Sequence, residues 1–213
     1  MGTFIKGILG GFSGKVGNVI GSFWRGIDYM RSLPRKSTRP ATPAQLEQRM
    51  TFGLVTGFLR AMSALIKIGY QQYKGKTTPM NAAVAYHIAN AVTGVYPALA
   101  IDFTKVVFSK GNLQKPGLPA VSIATPGQID FSWTNNAPIG TTQGTDLATL
   151  FVYCPALSQS VILRGAAARS ALGFDLLVPG DFAGETVHCW IAFVSVNGKE
   201  VSDSTYIGDF LLV

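Results

Sequence analysis

The sequence predicts an α+β protein: a basic N-terminal region with a glycine-rich β segment and two helices, followed by an immunoglobulin-like seven-stranded β-sandwich. Three observations carry the prediction. From Pro116 onward, short strand-like runs alternate with turn residues. Before that point, Thr42-Pro43 and Thr78-Pro79 each pair a capping residue with a proline suited to the first helical position. The charge also changes sign there. Residues 1–116 hold 15 Lys/Arg and 3 Asp/Glu, whereas residues 117–213 hold 3 and 8. The expected domains are therefore 1–115 and 116–213.

Within 1–40, glycines 7, 10, 14, 17 and 21 recur at spacings of three and four, as in a small-residue helix stripe. Each interior glycine costs a helix about 1 kcal/mol relative to alanine. Val19-Ile20, Phe23-Trp24, Ile27, Tyr29 and Met30 flank Arg25-Gly26 instead as two short strands about a turn, and strands are favoured. Pro34 and Pro40 bracket an extended basic linker. Thr42, Pro43 and Gln45 then open a helix with Leu46, Met50, Leu54, Phe58, Leu65 and Ile68 on one side, ending near 69–73. Gly53 and Gly57 on it predict close approach by another element. A second, alanine-rich helix spans about 79–93, closed by Gly94, and a strand follows over Leu99–Phe108. The sandwich strands fall at 120–124, 128–133, 147–153, 160–164, 174–178, 186–194 and 206–213, with Asn197-Gly198 as a hairpin turn.

Composition excludes disorder, with 47% apolar residues in 213. Charged residues are only 14%, below the usual share near 25%, so covering part of the surface with another subunit is favoured. The charge split admits a nucleic-acid or other anionic partner for the basic half. It also admits head-to-tail contact between the basic part of one copy and the acidic part of the next. No secretory signal is recognisable, since GILGGF is short and glycine-rich with no A-x-A site after it, which favours a cytoplasmic or virion-like location. The uncharged run 81–101 has a spanning length, but its Asn, His and Pro favour a buried helix over a membrane span.

Candidate chemistry is sparse. Cys154 and Cys189 lie 35 residues apart in apolar runs and read as buried thiols, with a disulfide as the alternative. His188 and Cys189 are strand neighbours and point to opposite faces, which excludes a nucleophile pair. Lys74-Gly75-Lys76-Thr77 lacks the P-loop spacing. Asp203, between two serines, reads as a turn residue rather than a calcium ligand. Trp133 and Trp190 read as core aromatics, with a glycan platform as the alternative. No catalytic, cofactor or metal set emerges. The residues singled out for interaction are Lys15, Phe23, Trp24, Arg25, Arg31, Arg35, Lys36, Arg39, Arg49 and Arg60, where basic side chains interleave with aromatics.

The segment SGKVGNVIGSFWRGIDYMRSLP followed by TPAQLEQRMTF, with IDFSW, DLATLFVY, ARSALGFDLLVP and VHCWIAFVSVNGKEVSDSTY, resembles an uncharacterised family found mainly in Bacteroidota. Trp24, Arg25, Gly26, Arg31, Thr42, Gln45 and Arg49 carry the resemblance, which spans nearly the whole chain but implies no activity. The first 60 or so residues are also similar to phage-associated structural proteins that end in an immunoglobulin-like module. The expectation is a non-enzymatic structural protein that self-associates, as in a phage-like particle or filament. The alternatives are a nucleic-acid binder using the basic half and a surface adhesin or glycan-binding module.

Overall fold

The computed structural model describes all residues except 1, 5, 6, 8, 9, 25, 36–38, 74, 76 and 139–141. The chain divides into two compact units, Met1–Pro43 and Ala44–Val213. The first unit is an antiparallel sheet of β1 (Thr3–Phe4), β2 (Phe12–Val16), β3 (Val19–Trp24) and β4 (Ile27–Ser32), in the order β1-β2-β3-β4. The glycine pattern thus serves strands and turns, not a helix stripe. Gly17 and Gly26 take φ of 58° and 88° in the two hairpin turns. Gly21 lies beneath Phe12, whose ring and carbonyl occupy the space a side chain would need.

The second unit begins with α1 (Pro43–Ala61) and α2 (Ser63–Gly69), followed by α3 (Pro79–Asn90). The single helix expected to run to about residue 70 is broken at Met62, where the axis turns by 86°. No glycine or proline marks the break. The bend lets Val55, Phe58 and Leu59 of α1 and Leu65 and Ile66 of α2 enter one core, while Met62 is itself fully buried. The expected apolar side is therefore only partly used, and Leu46 and Met50 are each 40% exposed. Gly53 and Gly57 face open space, so among the described residues nothing makes the predicted close approach. Thr78 caps α3 by accepting from the Asn81 N–H at 3.1 Å. That helix ends before Gly94, which instead sits at φ 89° within the hairpin β5 (Val92–Val95) and β6 (Ala98–Ile101). The strand expected over 99–108 ends at Ile101, and a single 3-10 turn, Phe103–Lys105, follows it.

All seven sandwich strands are present: β7 (Gly117–Ser122), β8 (Gln128–Thr134), β9 (Leu147–Cys154), β10 (Gln159–Ala168), β11 (Gly173–Leu177), β12 (Thr186–Val194) and β13 (Thr205–Leu211). They form sheets ordered β11-β8-β7 and β10-β9-β12-β13, the three-plus-four division of an immunoglobulin-like sandwich. Between the sheets lie Ile129, Phe131, Trp133, Leu150, Val152, Val187, Ile191 and Phe193.

The four-stranded sheet is buried on both faces. Along β9, Ala148, Leu150, Val152 and Cys154 face the partner sheet, while Phe151 packs into the helical core. Along β12, Val187, Cys189, Ile191 and Phe193 face the partner sheet, while Trp190 and Ala192 pack against the helices. The unit thus has three layers: helices, four-stranded sheet, three-stranded sheet. The expected boundary at 115/116 is not where the compact units part; they divide between Pro43 and Ala44. The physical reason is that α1 to α3 share one core with β9 and β12. The segment before the sandwich is also stitched to its far end: Ser109 Oγ donates to the Ser202 carbonyl at 2.6 Å, and the Phe108 N–H donates to Ser204 Oγ at 3.1 Å.

Candidate assembly surface

The register of the N-terminal sheet sorts its side chains onto two faces. Lys15 lies opposite Ile20, and Ile20 opposite Arg31, so one row across the sheet reads Lys15, Ile20, Arg31. On the same face the next row pairs Ser22 with Tyr29, and the last pairs Trp24 with Ile27. The other face carries Val16 opposite Val19, Gly21 opposite Met30 and Phe23 opposite Asp28. Apolar residues thus occupy both faces of the four-stranded layer.

Exposure follows from this. Phe23 is 62% exposed, Trp24 52% and Met30 71%. All six residues of β4 are exposed, and β4 is an edge strand with its outer backbone groups unpaired in the sheet. Among the predicted interaction residues, the sheet brings together Lys15, Trp24 and Arg31 on one face and sets Phe23 on the other. Arg35 and Arg39, which follow β4, are themselves exposed. Arg49 and Arg60 are exposed on α1, eleven residues and so about three turns apart, on one side of the helix. Arg25 and Lys36 lie outside the described residues. Ile20, Ile27, Tyr29 and Met30 share these faces with the predicted interaction residues, and β4 signals it by carrying exposed apolar side chains on both sides, Ile27 and Tyr29 on one and Met30 on the other.

The residues weighed for chemistry fall elsewhere. His87 is buried; its Nδ1 lies 2.7 Å from the Ala83 carbonyl, and its Nε2 lies 3.2 Å from the Val107 N–H. These partners make it a neutral ring with the proton on Nδ1, and burial holds its pKa below the ordinary histidine value. His188 Nδ1 lies 2.9 Å from the Tyr206 hydroxyl, and its ring sits 4.2 Å from that of Phe103. Burial also lowers its pKa, against an opposing pull from Asp209. Cys189 points the other way, into the sandwich core, where burial pushes its thiol up to about 12. Cys154 and Cys189 are both free thiols, which settles the disulfide alternative. Trp133 is 3% exposed and Trp190 fully buried, so neither offers a glycan platform. Asp203 accepts from the Gly111 N–H at 3.0 Å and pairs with Lys115 at 3.2 Å, tying the Gly111 turn down rather than closing a turn of its own.

A helix-backed immunoglobulin-like sandwich preceded by a basic β-sheet with exposed aromatic side chains is the class of protein this architecture defines. The chain belongs to the family of unknown function DUF6266, whose family model matches residues 11–208. No curated protein matches it. Among solved structures, it is similar to a fibronectin type III domain of the human collagen alpha-1(XX) chain, at 19% identity over 49% of this chain and 89% of that one, with a TM-score of 0.33. It is also similar to a fibronectin type III domain of human contactin 1, at 7% identity over 49% and 77%, with a TM-score of 0.27. Both scores are low, and the fold class rests on the strand order and the two cores.

Proposed function

We propose that this chain is a non-enzymatic structural protein that self-associates through its N-terminal sheet, building a repeating assembly such as a phage-like particle or filament. The observation that carries the reading is the sheet itself: apolar side chains exposed on both faces and an open edge at β4. Burying Phe23, Trp24 or Met30 against a partner is worth about 1.5–3 kcal/mol each. The charge distribution supports a second copy as that partner. Residues 1–43 carry seven Lys/Arg and one Asp. No Lys or Arg stands between Lys115 and Arg164, and Asp130 and Asp175 sit directly opposite each other on β8 and β11. A basic sheet from one copy thus has an acidic surface to meet on the next.

Mass photometry and sedimentation of the whole protein test this. The parent chain is expected to form oligomers whose size responds to salt. A Phe23→Ser, Trp24→Ser, Met30→Ser variant is expected to be monomeric with an unchanged far-UV spectrum. A parent that stays monomeric from 50 mM to 1 M salt at micromolar concentration refutes the reading.

A second reading has its own observation. Trp24 and Tyr29 share a face with Lys15 and Arg31, an arrangement that can stack bases and follow a phosphate backbone. It expects single-stranded RNA or DNA to bind at 50 mM salt, with log affinity falling linearly with log salt. Equal oligonucleotide binding by the parent and a Lys15→Ala, Arg31→Ala variant removes it.

A further inference from the structure

The second unit holds a cleft of about 410 Å³ that the assembly reading does not use. Its floor is the helix-facing side of the four-stranded sheet, at the end that α2 leaves uncovered. Leu65, Phe108, Leu147 and Val194 supply apolar walls. Two polar side chains interrupt them. Arg164 stands directly opposite Thr149 on neighbouring strands, so the two share the sheet face that lines the cleft.

Neither is used by the fold. Thr149 is only 4% exposed, yet its hydroxyl has no hydrogen-bond partner among the described residues. Among the described residues the buried polar atoms without a partner are Gln143 Oε1 and Trp190 Nε1, so the Thr149 hydroxyl is instead open to the cleft, where a polar ligand atom can reach it. The Arg164 guanidinium makes no ion pair and no side-chain hydrogen bond among the described residues, although Arg169, five residues on, is fully engaged. Gly165, at φ 68°, starts the bulge that interrupts the β10 ladder immediately after Arg164.

An apolar cleft with a few converging polar groups is the usual form of a small-molecule site. Here those groups are one cation and one hydroxyl, side by side at one part of the wall. We propose that the cleft binds a small organic carboxylate with an apolar body, of the size of a medium-chain fatty acid. The carboxylate accepts from Arg164 and Thr149, and the hydrocarbon lies between α2 and the sheet. A cationic or neutral ligand of the same shape leaves the guanidinium unmatched.

Titration of the whole protein with sodium decanoate below its micelle concentration tests this. Calorimetry gives the affinity, and methyl NMR of Leu65, Leu147 and Val194 gives the location. The expected result is saturable binding that shifts those methyls, weakened about tenfold or more in Arg164→Gln, as for loss of one charged hydrogen bond. Thr149→Val is expected to weaken it severalfold, and decanol and decylamine to bind at least tenfold more weakly than decanoate. Arg164 is exposed, so Arg164→Gln leaves the fold intact and the comparison interpretable. Absence of binding at millimolar decanoate, equal binding to Arg164→Gln, methyl shifts confined elsewhere, or decylamine binding as tightly as decanoate would each overturn the proposal.

Discussion

Replacing Arg169 with methionine is expected to be among the most damaging single changes in the second unit. Its side chain is fully buried and pairs with Asp146, 5% exposed, at 3.4 Å. It also donates to the carbonyls of Gln114 at 2.9 Å and Gln143 at 3.2 Å, and to Asn136 Oδ1 at 2.7 Å. The guanidinium lies 3.9 Å over the Phe193 ring, and the Arg169 carbonyl accepts from Trp133 Nε1 at 2.9 Å. One side chain therefore holds the chain entering β7, the loop before β9 and the sandwich core. Methionine keeps most of the volume and none of the donors. Asp146 is left as a buried charge without its cation, which costs about 3–5 kcal/mol. A unit of this size loses about 2–4 °C of Tm per kcal/mol, so a fall of about 10 °C follows. Differential scanning calorimetry measures it. Asp146→Asn in the same chain is expected to return part of the loss, because the orphaned charge is then gone. A Tm for Arg169→Met within about 2 °C of the parent would refute the argument that this cation organises the interior.

Two glycines in helices are expected to respond with opposite signs. Gly53→Ala enters open space on exposed α1 and raises stability by about 0.5–1 kcal/mol, whereas Gly69→Ala collides with the Phe108 carbonyl, places its methyl 2.7 Å from Ser109 Cα and costs about 1–3 kcal/mol; thermal melts of both decide it. Stability is also expected to fall on acidification. His87 and His188 are both held below the ordinary histidine pKa of about 6.5, so the contribution is complete above that pH and is lost as pH drops toward the folded values; urea midpoints from pH 7.5 to 5 measure this, and His87→Gln flattens the slope. A thiol reagent is expected to find no accessible cysteine in the native protein and two after denaturation, with the Tm indifferent to reductant, since Cys154 and Cys189 are free and buried.

The seven sandwich strands were legible because turn residues punctuate them: Gly127, Gly184 and Gly198 all adopt the positive φ that a sequence reader expects of glycine at a chain reversal. The strand pair about Gly26 was legible for the same reason. The break at Met62 was not, because it is imposed by the sheet that α1 and α2 must both reach and no local residue encodes it. Exposure of Leu46 and Met50 was illegible on the same ground, since periodicity reveals an apolar side without revealing where its partner stops. The role of Arg169 was hidden because its partners at 114, 136, 143 and 146 come together only through the tertiary fold.

The third layer left a trace that a two-layer reading passes over. A sandwich strand with one wet face alternates polar with apolar, yet LATLFVYC and TVHCWIAFV show little alternation. Such strands need a cover on both sides, and α1 to α3 provide the second. Residues 114–213 alone would expose Phe151, Trp190 and Ala192, which are at most 1% exposed in the whole unit, together with half-buried Tyr153. At about 1.5–3 kcal/mol for each large side chain, Phe151, Trp190 and Tyr153 together amount to roughly 5–9 kcal/mol. That is comparable with the entire stability of an ordinary domain, about 5–15 kcal/mol. The 114–213 fragment is therefore expected to aggregate or to bind a hydrophobic dye without a cooperative melt, while residues 44–213 fold and melt cooperatively. A monomeric 114–213 fragment melting within a few degrees of 44–213 would mean that the helices merely decorate the sandwich.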